Sequence, residues 1–237
     1  MTVRTILSAL VLSAGFGTVA MAQVSGTVTL DGKAPAVAPI DISKMAQCAK
    51  EHPGGTIPNE SVVVTDKGDL ANVVVSIKKA EGVELPAPAT PPAPMNLDQK
   101  GCQYIPHVVA VQIDQPLVAR NSDSFLHNVH SQPSDNTPVN TAQPTIDKKG
   151  KKLATKVAEY YRVKCDVHPW MSAWVAVIDN PYFAVTDATG KFELPKGLKD
   201  GEYTVVAWHE KFDKIEGKVT VKDGKGEVKL VFKLDAK

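Results

Sequence analysis

The 237-residue chain has almost no helical periodicity, no excess of charge of either sign, and few of the residue types that bind metals. Apolar residues do not recur at three- and four-residue intervals, which argues against helix bundles and mixed α/β architectures. Lys and Arg number 27 against 26 Asp and Glu. So even a balance gives no electrostatic reason to expect a nucleic acid or an anionic membrane as partner. No internal repeat recurs, which excludes a solenoid. Histidines number six, none in a His-x-His pair, too few for enzymes that hold several metal ions on imidazole.

What is present begins with a leader. Arg4, the apolar run Ile6–Val19 and the small-x-small triplet Ala20-Met21-Ala22 read as a signal peptide over residues 1–22. The apolar run is too short for a comfortable membrane span, so a mature chain without a span, periplasmic or secreted, is expected. Loss of the leader removes Arg4 and no acid, leaving the charges balanced. An oxidising compartment then meets three cysteines, Cys48, Cys102 and Cys165. An odd count leaves one thiol without a partner in the chain, and metal ligation is one way to occupy it. The count alone does not say which of the three is left over.

Short strand-like runs separated by Gly, Pro, Asn and Asp fill most of the remainder. They include Val24–Leu30, Ser61–Thr65, Ala71–Ile77, Val108–Ile113, Leu117–Asn121 and Glu159–Lys164. Others are Ala173–Ile178, Lys191–Leu194, Tyr203–Trp208, Lys218–Val221 and Glu227–Phe232. One short helix is predicted near Ile42–Ala49, capped by Asp41 and stopped by Pro53-Gly54-Gly55. Leu85–Pro94 (LPAPATPPAP) is an extended proline-rich segment. The lysine runs at 148–152 and 222–229 read as solvated faces. This spacing suits β-sandwiches.

One segment carries chemistry. Cys165-Asp166-Val167-His168-Pro169-Trp170-Met171 places a thiolate, an imidazole and a thioether within seven residues. With a second histidine, this set is the His2Cys arrangement with a weak axial Met that suits copper electron transfer. Tyr161, Val163 and Cys165 share one face of a strand by the period of two, while Arg162 and Lys164 point away. His127, in Phe125-Leu126-His127-Asn128-Val129-His130, is the candidate second imidazole. The blander alternatives are a disulfide at Cys165 and a core role for Met171, the usual use of methionine. His107, His130 and His209 read as structural or surface histidines.

The pair HNVH (127–130) and CDVHPWM (165–171) resembles the cupredoxin fold, and most of all its amicyanin and plastocyanin branch. That resemblance implies His127, Cys165 and His168 as strong ligands, Met171 as axial ligand and Asn128 as a hydrogen-bonding support of the thiolate. It also implies that His127 and Cys165 are buried while His168 presents its ring edge to solvent. GTVTLDGKAP (26–35), NVVVSI (72–77) and AVTDATGKFELPKGLKDGEYTVVAW (184–208) resemble a carboxypeptidase regulatory-like β-sandwich. The whole chain is similar to exported bacterial proteins of the methylamine-utilisation type. In those, the patterns seen here as Cys102-x-Tyr104-x-Pro106-His107, HNVH, the copper loop and Trp208-His209-Glu210 occur together.

The expected fold is therefore all-β: a Greek-key cupredoxin sandwich over residues 99–179, flanked by the two parts, 23–98 and 180–237, of a small transthyretin- or Ig-like sandwich. With Cys165 given to the metal, Cys48 and Cys102 remain to form a disulfide. The rival is a second metal site of Cys48, His52, Cys102 and His107. The expected cofactor is copper cycling between Cu(I) and Cu(II), with zinc a chemical alternative that leaves Met171 superfluous. The expected partner is another redox protein, such as a c-type cytochrome or a dehydrogenase, docking on an apolar rim at Pro169 and Trp170. Simple packing of that loop is the competing reading. Enzymatic turnover is not expected, because the four ligand positions are filled. Copper delivery is the alternative function.

Overall fold

The computed structural model describes residues 23–80, 84–87, 90 and 92–234. The expected leader and part of the proline-rich segment lie outside the described residues. The chain opens on β1 (Gln23–Asp31), two-residue strands β2 (Ile40–Asp41) and β3 (Thr56–Ile57) on either side of helix α1 (Ala46–Glu51), and β4 (Val74–Ile77). There follow β5 (Met95–Lys100), β6 (Gln103–Ile105), β7 (Val108–Gln112), β8 (Leu117–Asn121) and β9 (His127–Gln132). Next are β10 (Asn140–Gln143), β11 (Asp147–Leu153), β12 (Glu159–Lys164) and β13 (Ser172–Ile178). The last are β14 (Phe183–Val185), β15 (Lys191–Glu193), β16 (Gly201–His209), β17 (Asp213–Val221) and β18 (Lys225–Lys233). No described helix is long and apolar enough to cross a membrane.

The architecture is all-β, in two layered bodies. Strands β5 to β13 form sheets ordered β10-β9-β12-β13-β7 and β11-β8-β5-β6. Strands from the two ends of the chain form the others, β15-β1-β18 and β14-β4-β16-β17. β1 runs parallel to β18 along its whole length, from Gln23↔Lys225 to Asp31↔Lys233. Gly26 permits that pairing: a Cβ there would strike the Val228 carbonyl and come within 2.9 Å of the Phe192 ring.

Period-two alternation sorts side chains between three cores. Between the middle sheets lie Leu97, Val109, Val129, Tyr161, Val163, Ala173, Val175 and Val177. The outer sandwich encloses Val28, Leu70, Val75, Ile77, Tyr182, Leu230 and Phe232. Strands β4 and β13 are buried on both faces, so their alternate residues Val74, Ala176 and Ile178 meet Val108, Ala110 and Trp208 in a third cluster joining the two bodies. That is why both read as continuous apolar runs.

Several local expectations are revised. Helix α1 starts later than expected, with Met45 at its N-cap and no side-chain cap. The Asp41 carboxylate instead accepts the Ser43 N–H, and Ile42 is buried in the middle core. Ser61–Thr65 forms no strand; Val64 makes only an isolated bridge with Leu70. β5 spans Met95–Lys100, across the expected start of the middle unit, and the lysine run at 148–152 lies in β11 with its side chains exposed or half-buried, as a solvated face requires.

Candidate metal centre

Two strands bring the expected donors together. β9 lies beside β12, with Lys164 opposite His130, so His127 at the head of β9 and Cys165 just beyond β12 meet at one end of the sheet. Cys165 N–H donates to the Met171 carbonyl (3.2 Å) and Met171 N–H to the His168 carbonyl (2.9 Å). These two bonds fold the loop back so that His168 faces Cys165, and the chain leaves as β13. Met171 is buried in the same core.

The donor atoms converge. His127 Nδ1 lies 3.0 Å from His168 Nδ1, and Cys165 Sγ lies 3.7 Å from His168 Nδ1. All three residues are at most 2% exposed. Asp123 decides the tautomer: its Oδ2 lies 2.8 Å from His127 Nε2, and a carboxylate only accepts, so Nε2–H donates and the Nδ1 lone pair turns inward. The set fits a metal. With donor–metal bonds of about 2.0 Å for nitrogen and about 2.3 Å for sulfur, a trigonal angle places N and S about 3.7 Å apart. Two imidazoles with one thiolate form a soft, mixed set suited to copper or zinc.

Electrostatics prepares the thiolate. Burial alone would raise the Cys165 thiol, but hydrogen bonds with His127, His168 and the Asn128 N–H outweigh it and bring it down to about 6. Burial opposes charge on His127 as well, and the bonds with Asp123 and Cys165 overcome it, raising its pKa. Asp123, which burial would raise, is held low by His127 and by the N–H groups of Cys102 and Gly101.

Asn128 stands where the sequence suggests a support. Its N–H donates to Cys165 Sγ (3.3 Å), and its side-chain oxygen accepts Asp166 N–H (3.2 Å). Two residues that the sequence reading missed join it. Asp123 is one. The other is Tyr104, whose hydroxyl donates to the Asn128 carbonyl (2.8 Å) and lies 3.2 Å from that of Lys164, spanning the two strands. In the sequence Tyr104 stands out only as part of the Cys102-x-Tyr104 pattern.

Cys48 and Cys102 form a disulfide, which removes the rival metal set as a resting arrangement. His52 contacts the Gly101 carbonyl (2.7 Å), and His107 pairs with Glu210. One expectation is overturned: His168 presents no edge to solvent but is 0% exposed. Phe125 and Trp170 lie against its ring, with centroids 6.4 and 5.4 Å away, and both disulfide sulfurs lie within 4.8 Å of a ring nitrogen. Pro169 is exposed, whereas Trp170 is half-buried and donates its indole N–H to the Cys102 carbonyl (3.0 Å).

No protein-family model matches this chain. No curated protein matches it either. Among solved structures, a purple cupredoxin from Nitrosopumilus maritimus is 23% identical, covering 32% of this chain and 81% of its own, at a TM-score of 0.28. Amicyanin from Paracoccus versutus is 15% identical over 44% of this chain and 97% of its own, at a TM-score of 0.31. A copper-containing nitrite reductase from Thermus scotoductus is 19% identical over 43% of this chain, at a TM-score of 0.31, but only 25% of its own length is spanned. Each likeness covers less than half of this chain, and the site is read from its own distances.

Proposed function

We propose that the chain is an exported type 1 (blue) copper protein that passes single electrons between redox partners. His127, Cys165 and His168 would hold the copper as strong ligands, the buried Met171 would be its weak fourth donor, and residues 99–179, together with the start of β5, would form the unit that holds it. The observation that carries this reading is the convergence of two Nδ1 atoms and one Sγ, 3.0 and 3.7 Å apart, in a buried pocket. Bound there, copper supplies one-electron chemistry between Cu(I) and Cu(II).

The chain's own residues do the rest. Asp123 fixes the His127 ring, Asn128 and Tyr104 lock the two strands that carry His127 and Cys165, and burial keeps water from the donors. Trp170 and the exposed Pro169 lie beside the His168 ring and form the rim on which a c-type cytochrome or a dehydrogenase docks through a small, transient interface. The disulfide supports an oxidising compartment, periplasmic or extracellular. Copper delivery without electron transfer calls for exchangeable donors. Burial of all three argues instead for slow loss to a competing chelator.

Optical and electron paramagnetic resonance spectra of the copper-reconstituted mature protein test the reading. An intense blue band with a narrow hyperfine splitting is expected, and Cys165→Ser removes both. A variant that stays blue would end the assignment.

A further inference from the structure

The ring of His168 lies close to three cysteine sulfurs. Its Nδ1 is turned toward His127 and Cys165. Its Nε2 is buried without a hydrogen-bond partner, a costly state for a polar atom that asks for an explanation. A ring nitrogen of His168 lies within 4.8 Å of both Cys48 Sγ and Cys102 Sγ, and all three residues are buried. The other nearby imidazoles are engaged: His52 with the Gly101 carbonyl and His107 with Glu210. His168 is therefore the free imidazole beside this cysteine pair.

We propose that Cys48 and Cys102, when reduced, form with His168 a second metal site that takes Cu(I). Two thiolates and one imidazole are a soft set, the kind that selects Cu(I) over harder ions. Opening the disulfide takes two electrons and two protons from a dithiol, which leaves as its own disulfide. Binding of Cu(I) by the two thiolates and His168 Nε2 then releases the two thiol protons and, when Nδ1 serves the first centre, the Nε2 proton as well, the ring bridging the two centres as an imidazolate. In the disulfide form the sulfurs are closed to the metal.

The segment that carries Cys48 is built to let a reductant in. It consists of six-residue α1, which lacks a side-chain cap, and the two-residue pair β2–β3, the kind of element that opens locally without global unfolding. It also covers the proposed centre, none of whose three strong donors is exposed. A metal ion arriving from this side meets the dithiol before it meets His127 and Cys165. The inference takes from the proposed function only the assignment of His168 Nδ1 to the first centre.

The test is an anaerobic titration of the mature protein with Cu(I) against a chromophoric Cu(I) chelator. It is run with the disulfide intact and again after reduction by a phosphine that is then removed. The oxidised protein is expected to take one equivalent and the reduced protein two, a comparison that needs no variant. Reduced Cys165→Ser keeps one equivalent. That equivalent disappears in Cys165→Ser with Cys48→Ser and Cys102→Ser, and weakens by about tenfold or more when His168→Ala is added to Cys165→Ser. Equal stoichiometry in oxidised and reduced protein overturns the inference, as does a dithiol equivalent indifferent to His168→Ala. If the oxidised protein binds nothing while reduced Cys165→Ser still binds one equivalent, the first centre fails and the second stands.

Discussion

At the residue scale, Asp123 and His209 show two opposite uses of a buried imidazole. Asp123 Oδ2 receives the His127 Nε2 proton at 2.8 Å and also accepts N–H bonds from Gly101 and Cys102, so it aims the ring and ties it to the disulfide. Asp123→Ala frees both. The expected result is a 10- to 100-fold loss of copper affinity, on the order seen when such supports are removed, measured by chelator competition at fixed pH. His209 is held neutral instead. Burial pushes it down to about 4, against the ordinary 6.5, and its Nδ1 accepts the Lys211 N–H at 3.1 Å. Between these two values the unfolded chain binds a proton that the folded chain refuses, so stability falls as pH drops from 6.5 toward 4. Glu210, held low chiefly by His107, also contributes to the acid response. The His209 share is the part of the melting-temperature slope that disappears in His209→Leu.

At the element scale, legibility followed locality. The alternation in Glu159–Lys164 gave β12 its faces, Tyr161 and Val163 in and Arg162 out, as the structure has them, and the Cys165–Met171 loop follows directly. β11 was unreadable because its residues, DKKGKKL, are nearly all charged; it is an edge strand whose lysines discourage pairing with another chain. Asp123 was unreadable for a different reason. It sits in an irregular loop after β8, where spacing does not fix direction. The burial of His168 was hidden because its cover comes from Cys48, 54 positions before Cys102. That separation makes the disulfide a strong constraint on the unfolded chain, about 4 kcal/mol in the chain-entropy account. Cys48→Ala with Cys102→Ala is therefore expected to lower stability by about 2–4 kcal/mol in denaturant titrations. It should also speed copper loss to a chelator, since the segment from β2 to β3 no longer holds against the His168 ring. An unchanged loss rate would mean that Phe125 and Trp170 alone close the site.

At the scale of the whole molecule, the two sandwiches share a face rather than a linker. Trp208 on β16 stacks on Tyr160 of β12 with ring centroids 4.5 Å apart and meets Trp174 of β13 edge-on at 5.3 Å. Lys214 lies 4.8 Å over the Tyr160 ring. Beside them, His107 pairs with Glu210 across the same face, both about nine-tenths buried. β12 and β13 also carry or flank Cys165 and Met171, so the outer sandwich braces the sheet that positions the metal loop from behind. Removing the indole should cost about 3–5 kcal/mol, as for large aromatic truncations in a packed core. Because Val74, Ala176 and Ile178 belong to both bodies through this cluster, the native protein should unfold in one cooperative transition. Trp208→Ala should split that transition in two, the outer sandwich melting first, with the absorption of the proposed copper centre unchanged until the second. Calorimetry followed alongside the optical band distinguishes the outcomes. A single unshifted transition in the variant would mean that Trp208 is not what couples the two cores, and that the rest of the shared cluster joins them without it.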